Sequence, residues 1–220
     1  MGASCCGHGD RHPASDHQIK AYRRVLWIAL SINAGMFALE IGMGLRAGSA
    51  SLQADALDFL GDAVNYALSL FVVGMALRFR ALAALAKGAS MGVLGCWVLG
   101  VAAWHLFAGT VPEAITMGAV GLAAVAANGI SFALLWAYRT GDANMRSAWI
   151  CTRNDLLGNL AVLLASLGVF GTGQGWPDLV VATVMALLAL QGAFVVVRHS
   201  LRELHSQRST HPSQPLPGAA

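Results

Sequence analysis

Six long apolar runs dominate this sequence, at about 25–45, 50–77, 85–109, 114–138, 147–170 and 177–198. A helix that crosses a hydrocarbon core of about 30 Å needs about 20 predominantly apolar residues, and each run meets or approaches that length. Lipid offers no hydrogen-bond partners, so only helices and closed barrels cross it, and runs this long without alternation exclude barrel strands. Only 11% of the residues are charged and 56% are apolar, whereas soluble domains carry about 25% charged residues. The chain is therefore expected to be an all-α integral membrane protein of six transmembrane helices.

Lysine and arginine are retained in short cytoplasmic loops, so their distribution sets orientation. With the amino terminus inside, Arg11, Lys20, Arg23, Arg24, Arg78, Arg80, Lys87, Arg139, Arg146, Arg198, Arg202 and Arg208 fall on the cytoplasmic side, and only Arg46 falls outside. Both termini are thus predicted to be cytoplasmic. The net charge of +3 reflects this topology and gives no reason to invoke nucleic acid. No cleavable signal peptide precedes the first run. Cys5, Cys6, Cys96 and Cys151 fall in the cytoplasmic leader or within helices, where structural disulfides are not expected. The expected organisation is a flexible leader at 1–22, a six-helix membrane unit at 23–200, and a short disordered cytoplasmic tail at 201–220. Short connections predict that successive helices are antiparallel neighbours or near-neighbours.

Charges at membrane depth are costly and are kept where they face an interior path. The intramembrane acids are Glu40, Asp55, Asp58, Asp62 and Asp155. The segment DALDFLGDAVN places Asp55, Asp58, Asp62 and Asn65 on one helical stripe. Ionised carboxylates at i and i+4 repel, so a cation or a proton is expected between Asp58 and Asp62. The segment CTRNDLLGN puts Cys151 and Asp155 at the same i, i+4 spacing. A thiolate and a carboxylate there, with Asp58 and Asp62, suffice for a tetrahedral metal site. Arg153 falls on the opposite face and is expected to snorkel or to pair with another helix. Glu40 and Asp55 suggest an exit pathway or a proton relay. Cys96 reads as a small buried hydrophobe, and His105 as interfacial. The leader's Cys5, Cys6, His8, Asp10, His12 and His17 are candidates for weak metal capture. Counted from the outer helix ends, Asp58 and Asp155 differ in depth by roughly 7 Å, an offset that any shared site must absorb.

GSASLQADALDFLGDAVNYALSL and SAWICTRNDLLGNLAVLLASLGV, together with six helices and cytoplasmic termini, resemble the cation diffusion facilitator family. The resemblance implies efflux of Zn²⁺ or a similar ion by proton antiport. It also implies a site of Asp58, Asp62, Cys151 and Asp155. Cys151 stands where the family usually has His or Asp, which makes the site softer. The chain is expected to lack the family's cytoplasmic carboxy-terminal domain, and a homodimer is then expected to rest on membrane contacts.

The donor set ranks Zn²⁺ and Cd²⁺ first, then Co²⁺, Fe²⁺ and Ni²⁺. The expected partners are the metal ion as cargo, protons and the bilayer, with no cofactor. The expected location is a bacterial inner membrane. The rival reading is a non-transporting membrane protein with a structural or sensory metal site. An enzyme is not expected, since neither HExxH nor GxSxG occurs.

Overall fold

The computed structural model describes the backbone of residues 16–71, 77–136 and 143–209. It describes the side chains within them except at 16–19, 77, 78, 80, 143–154 and 206–209. These residues form six helices, α1 (Asp16–Ala47), α2 (Ala50–Phe71), α3 (Leu77–Ala108), α4 (Ala114–Trp136), α5 (Ala143–Thr172) and α6 (Trp176–Ser209), and no strand. Five of them contain stretches long and apolar enough to cross a membrane: Lys20–Ala47, Ala81–Ala108, Ala114–Trp136, Asp155–Thr172 and Trp176–His205. The second helix, α2, is set apart by Asp55, Asp58 and Asp62. α6 continues past position 200, so the start of the segment set apart as a tail is helical to Ser209.

The distribution of polarity is the reverse of a soluble protein's. Trp104, Phe107, Ile115, Phe170 and Phe194 are exposed, whereas Glu40, Asp55, Asn128 and Asn159 are buried. Soluble proteins rarely present so much contiguous apolar surface while enclosing acids, because water would oppose both arrangements. In lipid the apolar surface is favourable and acids are kept in the bundle interior, and the chain is an integral membrane protein.

The helices pack chiefly in pairs, α3 with α6, α1 with α2, and α4 with α5. α2 is the hub and touches every other helix. Successive helices α3 and α4 make no close approach among the described residues, and are near-neighbours that both touch α2. Their connection instead crosses the end of α1, where the Glu113 amide donates to the Ala47 carbonyl at 3.0 Å.

Gly48, Gly109 and Gly173 adopt positive φ just after the ends of α1, α3 and α5. At Gly48, with φ of 64°, the chain turns from α1 into α2 within two residues, a backbone conformation that a Cβ would strain. These three turns define one end of the bundle, here the glycine end. At that end Gly175 lies against the Thr110 carbonyl so closely that a Cβ would collide with it.

Candidate metal pathway

The acids of α2 point into the bundle because the helix places its polar stripe toward α1 and α5. Asp55 and Asp62 are buried, and Asp58 is half-buried. The Oδ2 of Asp58 lies 3.7 Å from where a Cβ would stand on Gly158 of α5, so a glycine there leaves room for the carboxyl. The carboxyl groups of Asp62 and Asp155 lie within hydrogen-bonding reach of each other. Asp62 also accepts a hydrogen bond from the Tyr66 hydroxyl at 3.3 Å. Two carboxyl groups in contact need a proton or a cation between them.

These contacts resolve the depth offset expected from sequence. Asp62 is level with Asp155, and Asp58 with Gly158, so four residues back along α2 correspond to three forward along α5. This is the register of two antiparallel helices of equal rise. α5 extends to Thr172 and so projects further at the glycine end than α2, which begins at Ala50. The apparent mismatch came from comparing Asp155 with Asp58 instead of Asp62.

Asp58, Asp62 and Asp155 are thereby brought together between α2 and α5. Cys151 lies on α5 one turn before Asp155, and its side chain lies outside the described residues, as do those of Arg153 and Asn154. The leader candidates Cys5, Cys6, His8, Asp10 and His12, and the side chain of His17, also lie outside them. Among the described residues, no three His, Cys, Asp or Glu side chains converge in a geometry that could hold a metal ion as they stand.

Closer to the glycine end, Glu40 of α1 faces Asp55 of α2. Both are fully buried, their carboxyl groups lie within reach of each other, and among the described residues no other group donates to their four oxygens. One Asp155 oxygen and both amide atoms of Asn159 also lack partners. Deep in lipid such groups are expensive unless they serve a hydrated or ion-carrying path.

One buried acid that matters here is not among the candidates drawn from the sequence. Asp178, in the first turn of α6, is fully buried and accepts from Ser49 Oγ at 2.7 Å, the Ala50 amide at 2.8 Å and the Ser51 amide at 3.0 Å. Ser49 Oγ in turn accepts from the Leu52 amide at 3.1 Å. α2 is thus capped jointly by its own serine and by a carboxylate from α6, which satisfies amides that a helix start leaves orphaned. The sequence signal was an acid directly after Trp176–Pro177.

α3 begins earlier than the run 85–109, and Lys87 lies inside the apolar stretch Ala81–Ala108, where its Nζ donates to Asn65 Oδ1. Cys96, read as buried, is an exposed free thiol. His105, in the last turn of α3, borders an open cavity of about 540 Å³ that Gln53, Trp97 and Trp104 also line.

An apolar-surfaced helical bundle with acids at its centre defines an α-helical membrane protein with an acidic interior. The chain belongs to the cation efflux transmembrane domain family, whose profile matches residues 26–205, and so to the cation diffusion facilitators. It is 26% identical over 216 residues to the metal cation efflux system protein CzcD of Cupriavidus metallidurans, covering 93% of this chain and 66% of the relative. With the zinc transporter ZitB of Escherichia coli it shares 27% identity over 210 residues, 90% of this chain and 67% of that protein. With the cadmium, cobalt and zinc/H⁺-K⁺ antiporter of Bacillus subtilis it shares 23% over 206 residues, 86% of this chain and 65% of that protein. The chain spans about two thirds of the length of these relatives.

Proposed function

We propose that this chain carries divalent metal cations out of the cytoplasm across a bacterial inner membrane in exchange for protons. The observation that carries the reading is the meeting of Asp58 and Asp62 of α2 with Asp155 of α5 inside an apolar-surfaced bundle. The names of the relatives, which specify zinc, cadmium and cobalt, support the substrate class. Zn²⁺ and Cd²⁺ are the first candidates as cargo.

In this reading the cargo ion is held by Asp58, Asp62, Cys151 and Asp155. Small side-chain rotations draw the three carboxyls together, and Cys151 approaches from the next turn of α5. Ligands must be deprotonated to bind, so an arriving dication displaces the proton that Asp62 and Asp155 otherwise share. Loading and proton release become one event. Glu40 and Asp55 extend the acidic path toward the glycine end and relay protons or ions there. All six helices cross the bilayer, α2 included, since its 22 residues span about 33 Å. The basic residues place both termini in the cytoplasm and the glycine end outside. Two copies pair through membrane contacts.

Reconstituted vesicles with an acidic lumen test this reading. External Zn²⁺ should enter as protons leave, and a protonophore should abolish the uptake. Asp62→Ala should lower uptake by on the order of 100-fold, the upper end of what even outer-shell changes do to metal sites. Cys151→Ser should keep uptake but shift preference from Cd²⁺ toward harder ions. Metal binding without flux in the native chain would reject transport in favour of a structural or sensory site.

A further inference from the structure

Lys87 is a cation placed inside a structure otherwise arranged to attract cations. It lies within the apolar stretch Ala81–Ala108 of α3 and is half-buried. A lysine in lipid normally extends its flexible stem to the nearest headgroups. This one reaches across to α2 and donates to Asn65, one turn beyond Asp62 on the same polar stripe. Asn65 lies one turn from Asp62 on α2, so the ammonium it holds stands within electrostatic reach of that carboxyl, which also meets the Tyr66 hydroxyl and the carboxyl of Asp155. The backbone beside Lys87 is closely packed, since a Cβ on Gly88 would stand 2.9 Å from the Val197 side chain of α6.

We propose that Lys87 is a tethered counter-ion of the metal pathway, held by Asn65 beside Asp62, that weakens the grip of the acids on the cargo ion and so speeds its release. The inference rests on the transport reading above and adds a residue that sets affinity without being a ligand. With no ion aboard, the ammonium offsets part of the negative charge that Asp58, Asp62 and Asp155 concentrate in a poorly screened interior. An arriving dication meets that positive charge and must share Asp62 with it. Two positive charges near one carboxylate repel, so binding is weaker than the acids alone would give. A carrier needs this, because a site that binds too tightly does not turn over.

Lys87→Gln keeps a donor for Asn65 and removes the charge, Lys87→Arg keeps the charge, and Lys87→Met removes both donor and charge. Equilibrium Zn²⁺ binding to purified protein in lipid nanodiscs should tighten by about 5- to 10-fold in Lys87→Gln and in Lys87→Met, and stay near native in Lys87→Arg. In vesicles KM and the maximal rate should both fall for the two neutral variants, the signature of slowed release. Equal affinity in native, Gln and Met proteins would overturn the inference, as would weaker binding in all three variants, which is the mark of a purely structural tie between α2 and α3. A native chain that binds no Zn²⁺ would overturn the transport reading and this inference together. Native binding that is indifferent to the charge at position 87 would overturn this inference alone.

Discussion

At the glycine end Asp178 is enclosed by three donors, whereas deeper in the bundle Glu40 and Asp55, just as fully buried, meet only each other among the described residues. The two places use the same chemical group under the same exclusion from water. A carboxylate satisfied by a hydroxyl and two helix-start amides contributes to holding the fold. Carboxyl groups that face one another without donors oppose folding, and they persist where the path through the bundle uses them. The identity of a buried acid therefore says less about its role than the inventory of donors around it.

The sharpest way to break the comparison is Asp178→Ala. It strands the Ala50 and Ser51 amides and the Ser49 hydroxyl, and should lower stability by about 3 kcal/mol, a sum of partly offset costs of roughly 1–3 kcal/mol per stranded group. Thermal unfolding in a mild detergent reads this as a large drop in midpoint, with Zn²⁺ affinity in the surviving folded fraction unchanged. Next comes Gly175→Ala, which forces a Cβ into the Thr110 carbonyl. Overpacking of this kind costs about 1–3 kcal/mol, and the same unfolding assay should report it. The smallest effect has the opposite sign. Asp55→Asn gives the Glu40 carboxyl a donor and should stabilise the protein by about 1 kcal/mol while slowing proton-driven uptake. If Asp55→Asn destabilised as much as Asp178→Ala, the distinction between supporting and working acids would fail.

Much of the fold was legible because membrane helices announce themselves by length and apolarity, and the runs near 114–138 and 177–198 match the starts of α4 and α6 closely. Asp58, Asp62 and Asp155 were legible because helical periodicity is local, and their facing followed from two spans sharing one polar stripe. What one helix says about another was less legible. Asp178 satisfies amides more than a hundred residues earlier in the chain, a relation that no local pattern encodes. The tie from Lys87 to Asn65 likewise joins two helices that hydropathy does not pair. The separation of α3 from α4 was left open for a similar reason, since a short connection limits distance but does not dictate contact.

The crowding of Gly175 onto Thr110, together with the carboxylate that ties α6 to the start of α2 and the Glu113 amide on Ala47, joins the turns after α1, α3 and α5 into one packed rim. A substitution in any one of these connections is therefore felt by the other two.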